Sequence, residues 1–225
     1  MGRRYNQSKA RRRRALAAIV VGILLVAAVG YRLTVDYAGE PPGESSATLV
    51  ARVIDGDTFE LSNGETVRLL AVDTPERGQR YYGEATDLLE RLVLGKEVRL
   101  EFADRRRDNY GRLLSYVYVQ ETLLVNRVLL DSGLAYLYLF KDTDAGRVET
   151  GRLLAAQRAA IEESFGLYGT SYEAEAYYVA RPGSYRFHRP VCASIRNSDP
   201  ATSRIFKTRE EALREGLSPC RRCKP

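Results

Sequence analysis

The chain has 225 residues, 44% of them hydrophobic, with a formal net charge of +6 and a pI near 9.3. That length allows one domain of ordinary size plus a smaller module, and one sizeable core, but not a string of large domains. A positive balance points to a nucleic-acid or anionic-membrane partner, yet the charge is uneven: residues 1–14 hold seven Arg or Lys and no acid, residues 15–170 sum to −6, and residues 171–225 to +5. The acidic middle therefore excludes polyanion binding through overall charge, and requires a local cluster such as Arg105, Arg106 and Arg107, or a bound cation.

In chain order, residues 1–14 form a basic flank expected in the cytoplasm. In "RRRRALAAIVVGILLVAAVGYR" four arginines precede an uncharged, mostly apolar run, Ala15 to Tyr31, just long enough to span a bilayer if Arg32 snorkels. Residues 15–35 are expected to be a transmembrane anchor, or a signal peptide cut after Ala28 and Gly30; the run exceeds the ~7–15 residues of a signal peptide, which favours the anchor. In either case the cationic flank places everything after residue 32 outside the cytoplasm, membrane-anchored, or secreted if the segment is cut. "AGEPPGESSAT" has no apolar periodicity and reads, over 36–47, as a flexible linker.

Alternating apolar runs follow: "LVARVIDGDTFEL", "ETVRLLAV", "KEVRLEFA" and "GRLLSYVYV", separated by turn signals such as "SNG" and "DNYG". "GEATDLLERLVLG" carries helical apolar spacing and ends on Gly95; "TLLVNRVLLDSG" ends on Gly133; "AGRVETGRLLAAQRAAIEES" is a long helix-favouring stretch. Three strands, a helix, two strands and then helices predict an α+β domain over 48–170 built on a small barrel, without internal repeats.

"RVIDGDTFEL", Arg52 to Leu61, reads as a strand with Asp55 and Asp57 on one face, an arrangement that is costly unless something positive lies beside it. The alternative is an exposed hairpin in which "DG" supplies the turn. Downstream, "RLLAVDTPE" adds Arg68, Asp73, Thr74 and Glu76, with Pro75 ending the ladder. Asp57 and Asp73 would offer a hard cation an open, oxygen-lined site. "RDNYGRLLSYVYV" places Arg112 at the start of another strand. Two arginines, two metal-binding carboxylates and a spare glutamate suit phosphodiester hydrolysis: charge stabilisation, a cation, and a base to align water.

"IDGDT", "RLLAVDTPE", "YGEA", "DNYGR" and "SGLAY", in that order, resemble the staphylococcal nuclease (thermonuclease) family over about Thr48 to Gly169. The resemblance implies an OB-fold five-stranded barrel with three helices, a calcium ion, and cleavage of DNA and RNA that leaves 3′-phosphate ends. It further implies calcium carboxylates at Asp57 and Asp73, a backbone carbonyl ligand from Thr74, water activation by Glu76, phosphate binding by Arg68 and Arg112, and nucleotide binding by Tyr110 and Tyr138. Asp55 would then tune the same field without binding the metal. Two departures stand out: Asn109 replaces a lysine, and "RGQRY" after Glu76 is short.

The single histidine and all three cysteines lie in the tail: His188, Cys192, Cys220 and Cys223. Their H-x3-C and C-x2-C spacing fits a closed structural zinc site, and a disulfide scheme would strand one thiol. Residues 177–225 resemble the metal-binding domain of the Ada alkylation-response protein, with His188 in place of the first cysteine, so methyl transfer is not implied. Fewer than 60 residues build little core without such a staple. Arg186, Arg189, Arg204, Arg221 and Arg222 are available for DNA contact or form a solvated surface. Two function classes result: a calcium-dependent nuclease, or a surface protein that captures nucleic acid without cutting it. The sequence implies no protein partner.

Overall fold

The computed structural model describes residues 48–140 and 148–225. The expected basic flank (1–14), anchor or signal peptide (15–35) and linker (36–47) lie outside them. Among the described residues no helix is long and apolar enough to cross a membrane.

The architecture is α+β. β1 (Thr48–Asp55) pairs antiparallel with β2 (Thr58–Leu61), and β2 with β3 (Thr66–Leu69). After the short β4 (Val72–Asp73) and helix α1 (Tyr82–Val93), β5 (Glu97–Arg107) pairs with β1 and with β6 (Leu113–Val119). The circle closes where β6 runs parallel to β3, with Val67 opposite Leu113 and Leu69 opposite Ser115. Closure gives a five-stranded mixed barrel, β3-β2-β1-β5-β6, in which both edges of the sheet are paired.

Phe59, Val67, Leu69 and Val117 fill the barrel and are essentially inaccessible. Helix α1 adds Ala85, Leu89 and Val93, spaced at four residues and therefore on one face. Its chain reverses at Gly95, whose φ of 69° suits a glycine. β7 (Leu123–Leu124) extends the sheet beside β6, and α2 (Val125–Asp131) follows. Buried Asn126 pins that helix: its Nδ2 donates to the Leu70 carbonyl at 2.7 Å and its Oδ1 accepts from the Val117 N–H at 2.9 Å. β8 (Tyr136–Leu137) pairs with β4, and α3 (Val148–Glu162) packs beyond it.

The stretch Arg52–Leu61, expected as one strand, is instead a hairpin. Asp55 pairs with Thr58, which leaves Gly56 and Asp57 as its turn, so Asp55 and Asp57 share no strand face. Local turn chemistry wins over alternation here. The alternative reading, an exposed hairpin, fails in the other direction, because Asp57 is only 6% exposed. Thr74 and α1 cover the tip: a Cβ on Gly56 would lie 2.7 Å from Thr74 Oγ1 and 2.8 Å from Ala85 Cβ. Only glycine allows that approach.

The C-terminal residues fold into a second small sheet. β9 (Tyr178–Ala180), β10 (Arg186–His188), β11 (Arg204–Phe206) and β12 (Ser218–Pro219) take the order β11-β9-β10-β12, with helix α4 (Arg209–Arg214) before β12. Thr208 caps α4, its hydroxyl accepting from the Glu211 N–H at 3.1 Å. Tyr178, Phe187, Phe206 and Leu213 pack against Ala160 and Ile161 of α3 and against Tyr168, so the module borrows apolar surface from the larger domain. Buried Gln157 on α3 fastens the two together. Its Oε1 accepts from the Leu137 N–H (2.7 Å) and the Tyr168 hydroxyl (3.0 Å), while its Nε2 donates to the Leu213 carbonyl (2.6 Å).

Candidate active site and metal centre

The covered hairpin tip presents Asp57 with all its lone pairs directed. Oδ1 accepts from Arg68 Nε at 2.9 Å and from the Thr58 hydroxyl at 3.0 Å. Oδ2 accepts from both the backbone N–H and the hydroxyl of Thr74, each at 3.1 Å. Arg68 lies on β3 and is itself buried. Its remaining nitrogens donate to Asp73 Oδ1 at 3.3 Å and to the carbonyls of Leu69 and Val72, which flank a tight turn where Ala71 takes a φ of 60°. Arg68 is thus a tie between two carboxylates as well as the phosphate ligand that the resemblance implies.

Parallel pairing of β3 with β6 brings the start of β6 to the same end of the barrel. Arg112 there donates through Nε to Asp108 Oδ2 at 2.8 Å and through a terminal nitrogen to the Thr58 hydroxyl at 3.4 Å. Burial alone would raise Asp108, but the Arg112 guanidinium and the backbone N–H groups of Tyr110 and Arg112 outweigh it and hold the carboxyl below its ordinary range. Asp55 is shifted the other way, upward, by burial and then by the charge of Asp57. Its Oδ1 accepts from the Asp57 N–H at 3.1 Å, which fixes the hairpin tip.

A polar cavity of about 100 Å³ opens between these groups, lined by Asp55, Asp57, Arg68, Thr74, Glu76 and Arg112, and by Arg221 from the C-terminal module. Glu76 stands on its open side with 64% of its side chain exposed. Asp73 borders it through its ion pairs with Arg68 and Arg221. A neighbouring groove of about 280 Å³ carries Arg105, Asn109, Tyr110 and Tyr138 on from Arg68 and Arg112. Tyr110 is 86% exposed at its rim. The expected basic cluster is divided: Arg105 lines the groove and donates to Asn109 Oδ1, Arg106 stacks on Phe102, and Arg107 forms a bidentate pair with Glu65.

Asp57 and Asp73 flank a common guanidinium and offer only hard oxygen, which fits a calcium-type cation. The softer site lies elsewhere. β10 and β12 run parallel with Phe187 opposite Pro219, so His188 and Cys220, the next residues on each, come side by side. Cys192 and Cys223 join them, and the four potential ligand atoms all lie within 4.8 Å of one another. Neither ring nitrogen of His188 has a hydrogen-bond partner, although the residue is 4% exposed. An orphaned buried imidazole beside three free thiols fits a tetrahedral metal ion. Burial, followed by Arg181 and Arg186, lowers the His188 pKa, which favours the neutral form that binds metals.

Two residues reach the site with no sequence signal that placed them there. Arg221, between the last two cysteines, donates to both oxygens of Asp73 and stands 3.6 Å from Glu76 Oε1. Arg186 lies 3.4 Å over the Tyr138 ring. Both belonged only to a general basic tail in the sequence.

A closed mixed barrel that gathers carboxylates and guanidinium groups around one hairpin tip defines an α+β protein with a compact, densely charged polar site at one end of the barrel. The chain belongs to the staphylococcal nuclease homologue family, whose profile matches residues 66–169. It is 33% identical over 147 residues to a thermonuclease of Staphylococcus intermedius, covering 58% of this chain and 87% of that one. It is 34% identical over 161 residues to a micrococcal nuclease of Shigella flexneri, covering 66% and 83%. An uncharacterized endonuclease of Escherichia coli O157:H7 is 38% identical over 98 residues; there the match covers 42% of this chain and 63% of the relative's length.

Arg68→Ala leaves the buried Asp57 carboxylate without its guanidinium partner, Asp73 keeping Arg221, and should destabilise the fold by about 3–5 kcal/mol, whereas Glu76→Gln, at an exposed position, should change stability by less than about 0.5 kcal/mol. Denaturant titration of both variants checks the contrast, and equal stabilities would contradict the role given to Arg68.

Proposed function

We propose that this chain is a calcium-dependent nuclease that hydrolyses phosphodiester bonds of DNA, RNA or both and leaves 3′-phosphate ends. The observation that carries the reading is the meeting of Asp57, Arg68, Glu76 and Arg112 around one small polar cavity, with Asp73 at its border. The names of its relatives, thermonuclease and micrococcal nuclease among them, point the same way.

In this reading Asp57, Asp73 and the Thr74 carbonyl would hold calcium, Asp57 exchanging one of its four hydrogen bonds and Asp73 its contact with Arg221 for the ion, which when bound supplies positive charge beside the phosphate oxygens. Arg68 keeps the two carboxylates in place and, with Arg112, meets the charge that develops on the phosphorane-like transition state. Asp108 fixes the Arg112 fork, so little reorganisation is needed when that charge appears. Glu76, on the water-accessible side, orients the attacking water and takes its proton as the bond between phosphorus and the 5′-oxygen breaks, the departing oxygen taking a proton from solvent. Tyr110 and Tyr138 hold the nucleotide in the adjoining groove, and Asp55 keeps the Asp57 backbone fixed.

The wider assignment belongs to the same proposal: an OB-fold nuclease domain over 48–170, a structural zinc module resembling that of Ada over 177–225, and export across a membrane by residues 15–35. The orphaned His188 supports the zinc, and the calcium-rich cell exterior suits the catalytic cation.

The test is cleavage of labelled single-stranded and duplex DNA by residues 47–225, with calcium or a chelator, beside the Glu76→Gln variant. Calcium-dependent cutting that falls by about 10²-fold or more in the variant is expected; binding without cutting would replace this reading with nucleic-acid capture. For the module, Cys220→Ser should lose zinc and expose residues 177–225 to protease. Undiminished zinc in that variant would remove Cys220 from the ligand set.

A further inference from the structure

Arg221 comes from a part of the chain 148 residues beyond Asp73, yet it donates to both oxygens of that carboxylate and lies beside Glu76. Its backbone is held firmly. The Cys220 N–H donates to the Phe187 carbonyl at 3.0 Å and the Lys224 N–H to the Cys220 carbonyl at 2.8 Å, so the segment carrying Arg221 is tied to the second sheet at the Cys–His group. The side chain is 53% exposed and therefore reachable by a ligand.

Its surroundings fit a polymeric substrate. Arg221 lines the small polar cavity, the groove that carries Tyr110 and Tyr138, and a third cleft of about 730 Å³ between residues 73–80 and the C-terminal module. A strand that passes the cavity has to lie in spaces on both sides of it, and Arg221 stands where those spaces meet. Its guanidinium also lies 5.2 Å from the Tyr138 ring centroid.

Charge decides what such a group does. Asp55, Asp57, Asp73, Glu76 and Asp108 face Arg68, Arg112 and Arg221, five carboxylates against three guanidinium groups. A bound dication brings that deficit of two to balance, whereas without Arg221 the loaded site would keep one net negative charge, which repels a phosphodiester. A cation on Asp73 also removes the partner that now occupies Arg221.

We propose that Arg221 is a third phosphate-binding arginine of this site, supplied by the C-terminal module and freed for the nucleic-acid strand once a cation takes up Asp73. This rests on the nuclease reading above. It makes the metal-stapled module one wall of the substrate site rather than an appended domain.

The test is equilibrium binding of a fluorescein-labelled single-stranded oligodeoxynucleotide to the full chain carrying Glu76→Gln, with calcium and with chelator. In calcium, adding Arg221→Ala should weaken binding about tenfold and reduce the dependence of log K on log salt by roughly 0.7–1, the share of one phosphate contact. With chelator the same change should cost less than about twofold, because the guanidinium is then engaged by Asp73. Arg221→Lys should recover part of the loss, and Arg127→Ala, at an exposed position that lines none of the three spaces, should bind like the parent. Unchanged zinc content in Arg221→Ala shows that the module is intact. Equal affinity in calcium with and without Arg221, or tighter binding without it, overturns the proposal, the latter marking Arg221 as a plug. A parent chain that does not bind DNA in calcium brings down the nuclease reading as well, whereas a binding parent with an indifferent Arg221→Ala sinks only this inference.

Discussion

The ion pair between Arg68 and Asp57 joins the tip of the first hairpin to the strand that closes the barrel. Removing two such charges from water costs several kcal/mol each, and attraction offsets that only where the remaining donors and acceptors are also satisfied. Here they are: Thr58 and Thr74 complete Asp57, while Asp73 and the carbonyls of Leu69 and Val72 complete Arg68. The result is an arrangement of charge whose geometry is set by contacts within the protein itself. The absence of a side chain at Gly56 belongs to the same arrangement, since it lets Thr74 close over the tip.

From that point the architecture follows. The parallel β3–β6 pairing closes the barrel and also sets Arg112 beside the hairpin tip, so one backbone feature serves both packing and site geometry. The C-terminal module is bound into the fold by a shared apolar cluster and by Gln157, whose three hydrogen bonds join β8, Tyr168 and α4. A module mounted this firmly can hold a long side chain at the site edge, which a loosely tethered one could not.

The sequence made some of this legible and hid the rest for physical reasons. The α+β class and the barrel strands show in local alternation, and α1 shows in its Ala85, Leu89, Val93 spacing and in Gly95. The hairpin at Gly56 and Asp57 was obscured because alternating apolar residues on either side mimic one continuous strand. The spacing of His188, Cys192, Cys220 and Cys223 drew attention to a group that the fold does assemble. By contrast, the separate directions of Arg105, Arg106 and Arg107, the stacking of Arg186 on Tyr138 and the reach of Arg221 to Asp73 depend on tertiary contacts. No local pattern encodes a partner 148 residues away.

On the function proposed, this cavity binds a cation and a scissile phosphate together. A crystal structure of residues 47–225 grown with calcium and a nucleoside 3′,5′-bisphosphate addresses it directly. Calcium is expected on Asp57, Asp73 and the Thr74 carbonyl, with one phosphate within hydrogen-bonding distance of Arg68 and Arg112. Calcium bound elsewhere, or a phosphate held only by the basic surface of the C-terminal module, would contradict it.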